Sequence, residues 1–368
     1  VNIILTEEKI MLKNVVFKIL FASIIICVFV KYVSSDISIS GDATQGIDIK
    51  MVNYVNNPPG VDEDTEFSYD LSASFSVHYK GEKVEAKAGF AVGDFKDLWA
   101  KLAITDDMSV LVGKALAPFK LDRNGAVCGG DVGNPGVGRF EMIQFQAGGF
   151  KIAAMNAKHK LENLTIKTTA TTLPTLSSKN IFPRIEAIFD HTFDNKFTLA
   201  AGGGFQTYRF EYGTDSKSSV NVNSFILGLE AQGMFGPVTV TGRGTYGSNL
   251  GLYLDGGIGG FNARKPVFEL EDEKMLDNIS VSAFGGIKIK ATDAITPGAG
   301  YGFTTQIHDI DDHSDPDNAQ YMFANCEFVI LDHLIIHPEV GYLYELDDFD
   351  GNAENSTIII HSNVKIKF

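Results

Sequence analysis

The chain is short of cations. Its 368 residues carry Lys plus Arg 31 against Asp plus Glu 46, a formal charge of −15. Residues 1–35 hold Lys9, Lys13, Lys18, Lys31, Glu7 and Glu8, so the remainder has 31 − 4 = 27 cations against 46 − 2 = 44 acids. That balance excludes a nucleic-acid partner, which requires a cationic footprint. Cysteine is scarce at 3, and only Cys128 and Cys326 lie past the N-terminal apolar stretch. Two are too few for a disulfide scaffold, and we expect separate thiols. Catalytic signatures are missing: there is no HExxH and no GxSxG, so no enzyme is expected. Neither Gly202-Gly203-Gly204 nor Gly256-Gly257 sits between a strand and a helix as a nucleotide loop does. Past residue 35 no apolar run reaches the ~18 residues of a membrane helix. Disorder is excluded by 11% aromatic and only 21% charged residues.

The first 35 residues read as a targeting segment. Met11 opens it, Lys13 and Lys18 form its basic start, and Ile19 to Val30 is its apolar core. Val33 and Ser35 stand at −3 and −1 of a cleavage site before Asp36. Residues 1–10 read as an upstream extension. The alternative is an anchor that stays attached. Cys27 follows three isoleucines rather than a small residue, which argues against lipidation.

From Asp36 onward the hydrophobic period is 2. In residues 66–80, Phe67, Tyr69, Leu71, Ala73, Phe75, Val77 and Tyr79 alternate with Ser68, Asp70, Ser72, Ser74, Ser76 and His78. Sixteen such segments are predicted: 38–52, 66–80, 83–92, 96–105, 107–118, 138–147, 149–157, 181–193, 196–212, 220–235, 237–247, 277–290, 294–308, 320–331, 333–346 and 355–368. Their connections alternate in length. Tight ones fall at Gly81-Glu82, Asp106, Gly148, Asp194-Asn195, Gly236, Thr292-Asp293 and Asp332. Between them lie the long 53–65, 119–137, 158–180, 213–219, 248–276, 309–319 and 347–354, with 93–95 the exception.

Short turns at one end and long loops at the other are the signature of a transmembrane β-barrel. A strand facing lipid must satisfy its backbone through neighbours, so the sheet must close. Alternation supplies an apolar outer face and a polar lumen, and about 16 strands enclose water. The expected fold is all-β, an antiparallel barrel over 36–368. Leu252–Leu254 and Pro266–Leu270 leave 18 strands as the alternative count. A secreted β-sandwich or β-helix is the soluble alternative.

Two stretches resemble Gram-negative outer-membrane porins. The chain ends STIIIHSNVKIKF, with Phe368 in register with Ile358, Ile360, Val364 and Ile366. This resembles the C-terminal strand that the barrel-assembly machinery reads in such proteins. MSVLVGKALAPFKLD, followed by the Gly-rich FKLDRNGAVCGGDVGNPGV of 119–137, resembles the porin segment leading into a loop that folds back into the barrel. The resemblance implies a passive channel for small hydrophilic solutes and ions in the bacterial outer membrane. It also implies contact with outer-membrane lipid and lipopolysaccharide, and a homotrimer. It places Lys114, Lys120, Asp122, Arg123 and Asp131 near the constriction.

Strand parity turns Lys101, Arg184, Arg243, Lys288 and Lys290 toward the lumen, with Glu186, Glu230, Glu327 and Glu339 among the acids. Mixed charge on the wall predicts weak selectivity, its sign resting on the constriction. Most Tyr and Phe are expected outward, and a single Trp99 gives no aromatic slide for sugars. The acidic run His308 to Asp317 lacks the glycine and terminal Glu of a calcium loop, so no metal or other cofactor is expected. Two rival functions stay open: a surface antigen or adhesin acting through its loops, and an anion-selective, phosphate-type channel.

Overall fold

The computed structural model describes residues 36–53, 64–91, 94–121, 138–156, 165–167, 176–212, 218–250, 267–269, 274–308, 316–331, 334–345 and 356–367. The targeting segment lies outside them. The strands are β1 (Asp36–Asn53), β2 (Asp64–Lys80), β3 (Val84–Ala91), β4 (Asp94–Ala103), β5 (Met108–Leu116), β6 (Arg139–Ala147) and β7 (Phe150–Asn156). There follow β8 (Thr165–Lys167), β9 (Leu176–Asn180), β10 (Arg184–Phe193), β11 (Phe197–Tyr212), β12 (Ser218–Phe235) and β13 (Val238–Ser248). The last are β14 (Val267–Glu269), β15 (Lys274–Leu276), β16 (Asn278–Ile289), β17 (Ile295–His308), β18 (Asp317–Leu331), β19 (Leu334–Glu345) and β20 (Ser356–Lys367).

The main sheet has 17 strands. Two of them share one position. β9 pairs with the upper half of β11, Tyr208 to Tyr212, and β10 with its lower half, Phe197 to Phe205. The interruption is Ile181-Phe182-Pro183, where proline has no N–H to offer a ladder. Counting that position once leaves 17 − 1 = 16, and each of the sixteen expected segments has its strand. β1 pairs antiparallel with β2 on one side and with β20 on the other, so the pairings return to their start. Closure gives the wall strands partners on both edges, the condition lipid imposes, except at β9, which among the described residues pairs with β11 alone.

β14 does not join the wall. It pairs with β15 and, in parallel, with β8, tying the two long loops that precede β9 and β16 into a small separate sheet. Among the described residues the wall therefore has sixteen strand positions; Leu252–Leu254, the other half of the eighteen-strand alternative, lies outside them. Six of the seven tight turns are where sequence placed them, and the seventh, Asp332, lies outside the described residues. Asp194 and Asn195 both adopt positive φ between β10 and β11, the geometry that a tight hairpin demands and Asn and Asp tolerate.

The wall's two faces differ as alternation requires. On β16, Asn278, Ser280, Ser282 and Phe284 are buried while Ile279, Val281, Ile287 and Ile289 face out. The outward row around the barrel is apolar; Ile143 is 61% and Leu227 55% exposed. The inward row carries Ser109, Gln144, Gln206, Ser224, Thr241, Thr304 and Gln306, all buried. Most Tyr and Phe of the described wall face outward, as expected, Phe189, Phe197, Phe235, Tyr301 and Tyr342 among them, but a minority do not. Tyr208, Phe210, Phe284, Tyr321 and Phe323 lie on the inward row and are buried. They stack there on one another, Phe284 with Phe323 at 6.2 Å and Tyr321 with Phe323 at 5.8 Å between centroids. Parity sets each ring's side, and each of these shares a parity with buried polar residues of its strand.

Candidate functional site

The chain leaves β5 through Ala117, whose N–H donates to Gly138 O at 2.9 Å, and then turns across the lumen. Phe119 and Leu121 are buried at 2% and 0% exposure in a cluster with Ile188, Ala200, Ile226 and Leu250. Those partners belong to β10, β11, β12 and the segment after β13, well around the ring from β5. Gly228 makes this approach feasible. A Cβ there would stand 2.6 Å from Leu121 Cδ1 and 2.9 Å from Phe119 Cζ.

Polar contacts fix both ends of this short segment. The Phe119 N–H donates to Glu186 Oε2 at 3.1 Å. Glu186 is cross-linked through its other oxygen to Arg184, whose Nε donates at 2.9 Å and whose Nη2 also bonds it. The Arg184 guanidinium lies 4.9 Å over the Phe140 ring. Two residues along, Leu121 O accepts from Arg243 Nη1 at 2.6 Å. Arg243 faces Glu230 across the β12–β13 ladder, with 3.6 Å between Nη1 and Oε2 and both side chains fully buried. Its guanidinium stands 5.0 Å over Phe284. Each carboxylate thus neutralises one guanidinium, each guanidinium covers one ring, and each pair holds one backbone group of the crossing segment. Such pairs add little net stability, but removing one partner strands a buried charge.

Leu250 is positioned by a second polar knot. Asn249, at φ 53°, donates through Nδ2 to Asn223 O at 2.8 Å and Asp277 Oδ1 at 2.7 Å, and accepts from Asn278 N–H at 3.0 Å. Across the lumen, Glu339 accepts from Tyr321 OH at 3.1 Å and Asn325 Nδ2 at 2.9 Å. Toward the short-turn end, Glu85 lies 2.7 Å from His78 and 3.8 Å from Lys101; toward the long-loop end, Asp97 bridges Lys87 at 3.2 Å and Arg139 at 3.0 Å.

Of the residues expected to narrow the pore, Lys120 lies between the two anchored residues and is half-buried. Asp122, Arg123 and Asp131 fall outside the described residues. Lys114 sits on the other row. It is registered between Leu98 and Glu141 and shares parity with Val110, Val112 and Leu116, which set the outward face. A lysine near the end of a strand keeps its ammonium in water by extending along the wall. Lys101, Arg184, Glu186, Arg243, Lys288, Glu327 and Glu339 lie on the inward row. Lys290 does not; it stands just past β16, exposed in the turn, with Nζ 2.8 Å from Asp293. Phe368 lies outside the described residues.

Sequence reasoning missed Asp97, buried at 9% between two cations, and the anchoring role of Phe119, Leu121 and Gly228. Asp97 was legible from parity, since it alternates with Leu98. The anchoring was not, because its partners are 67 and 122 residues away. Among the described residues no group of three or more His, Cys, Asp or Glu is placed to hold a metal ion.

Solved structures similar to this one include outer-membrane proteins and porins. No family model and no curated sequence matches the chain. OmpT of Vibrio cholerae superposes with a TM-score of 0.56 at 11% identity, over 91% of this chain and 98% of that one. An anion-selective porin from Comamonas acidovorans gives 0.55 at 12%, over 91% and 100%. Pseudomonas aeruginosa OpdQ gives 0.52 at 10%, over 90% and 98%. At such identities the likeness establishes the barrel fold. Residue chemistry has to carry the function.

Proposed function

We propose that this protein is a porin of the bacterial outer membrane, passing small hydrophilic solutes and ions through a barrel narrowed by the segment that follows β5. The observation that carries the reading is the crossing of residues 119–121, held at Phe119 N–H and Leu121 O by buried ion pairs on distant strands. A barrel that served only to display loops has no use for a segment tethered inside its lumen. The porin neighbours support the same reading, and the mixed charge of the inward row accords with weak ion selectivity. In this reading residues 1–35 are removed on export, 122–137 complete the constriction, Phe368 ends the assembly signal, and the barrels associate as trimers. No catalytic step is assigned.

The test is single-channel recording of the refolded protein in a planar bilayer under a KCl gradient. Stable ohmic steps with a small reversal potential are expected. A folded barrel without current overturns the reading and moves the role to the extracellular loops.

A further inference from the structure

The protein's one tryptophan stands on the inward row of β4. Trp99 shares that row with Asp97 and Lys101, while Leu98 and Leu102 beside it face out. The indole packs against a cluster that includes Ala115 and Met142, and the His78 ring meets it edge-on, 6.2 Å away at 61°. Its partner across the ladder on β5 is Gly113, which puts no side chain beside the ring. Only glycine fits there: φ is 131°, and a Cβ would collide with Leu98 O. A glycine inside a strand commonly marks a place where a ligand comes close. Trp99 is thus half-buried with its remaining surface toward the lumen. The inward rings Tyr208, Phe210, Tyr321 and Phe323 are at most 6% exposed and offer no open face.

Two ion-pair clusters flank the indole. Asp97 with Lys87 and Arg139 lies toward the long-loop end, and Glu85 with His78 and Lys101 toward the short-turn end. Asp97 and Lys101 each stand two residues along β4 from Trp99, about 7 Å by strand rise. The side chains of Lys87, Lys101, His78 and Glu85 stay 29–34% exposed, so they keep hydrogen-bonding capacity toward the lumen. The charges select the solute. An anion meets Asp97 and Glu85; a cation meets Lys87, Lys101 and Arg139. A neutral hydroxyl uses both signs, donating to a carboxylate and accepting from an ammonium. A ring with hydroxyls around its edge and an apolar C–H face for the indole complements the whole site.

We propose that Trp99 is the platform of a neutral-sugar subsite, a pyranose ring lying on the indole with its hydroxyls shared between the Asp97 and Glu85 clusters. One indole makes no slide, but it makes one subsite. The proposal rests on the water-filled lumen of the porin reading and names a solute class for which that lumen has affinity.

The single tryptophan makes its fluorescence a reporter of this site alone. Emission of the folded barrel in detergent is titrated with maltose, lactose and chitobiose, and with glucuronate and glucosamine as ring solutes of either charge. At least one neutral disaccharide gives a saturable shift, and glucuronate and glucosamine bind at least ~threefold more weakly. Asp97→Asn and Lys101→Met, each with Trp99 in place and each verified as folded by heat-shifted gel mobility, weaken that sugar at least ~fivefold. No saturable shift with any of the three neutral sugars overturns the proposal. So does tighter binding of glucuronate or glucosamine, or unchanged affinity in either folded variant. A saturable shift in a barrel that carries no current supports the subsite and counts against the channel; current without a shift does the reverse.

Discussion

Two stretches of lumen wall bury carboxylates in different company. On β10 to β13, Glu186 and Glu230 face guanidinium groups, and the pairs reach inward to hold the backbone of a segment from elsewhere. On β18 and β19, Glu339 accepts from Tyr321 and Asn325, both on the wall itself. The first stretch fastens a crossing chain; the second stiffens a ladder. The difference shows what the arginines contribute. A guanidinium has donors to spare after pairing with one carboxylate, so it can bond the carboxylate and a carbonyl together.

The largest expected break is Arg243→Ala. It strands Glu230 in a fully buried site and frees Leu121 O, costing about 3–5 kcal/mol. Urea unfolding in lipid vesicles measures the cost, and the channel conductance changes with it. Next comes Gly228→Leu, which puts a side chain where Leu121 and Phe119 lie. It costs about 1–3 kcal/mol by overpacking and displaces the segment, so solute exclusion measured by liposome swelling shifts its size limit while the ion pairs persist. Tyr321→Phe removes one hydrogen bond to the Glu339 carboxylate and costs about 1.5–3 kcal/mol. Conductance stays at the wild-type value, because no crossing segment among the described residues depends on that wall; a conductance change as large as that of Arg243→Ala would erase the contrast.

The smallest effect lies outside the lumen, at Lys290 and Asp293 in the turn after β16. The hydrogen bond from Lys290, and then its charge, lower the Asp293 pKa below its ordinary value. The folded value being the lower one, the pair's contribution is present above the ordinary range and lost as pH falls through the lowered value. Lys290→Ala brings the Asp293 titration, followed by NMR, back up toward the ordinary value with no resolvable change in stability, as befits an exposed pair. The same ion-pair chemistry is therefore decisive in the lumen and negligible in the turn.

How much of this the sequence discloses depends on range. The wall is a local property: Ile279 and Ser280 must face opposite ways, and Asp194-Asn195 must turn. Strand number and lumen residues such as Arg184, Glu186 and Arg243 were readable on that basis. Lys114 was expected near the constriction from the porin resemblance, whereas the register of its strand puts it on the row of Val110 and Val112. The anchor of residues 119–121 has no local trace. Glu186 and Arg243 were visible as inward charges, but nothing in their neighbourhoods names the backbone groups they hold. β9 was not legible, because residues 176–180 fall in the expected connection 158–180, and Pro183 falls within the expected segment 181–193.

The central claim is that residues 119–121 lie inside a conducting lumen. Lys120→Cys, with Cys128→Ser and Cys326→Ser to remove the other thiols of the barrel, places one reactive thiol on the segment. Single-channel current is recorded while a charged methanethiosulfonate is added. The account predicts a stepwise fall in conductance on modification. Full modification, verified by mass, with current unchanged would contradict it.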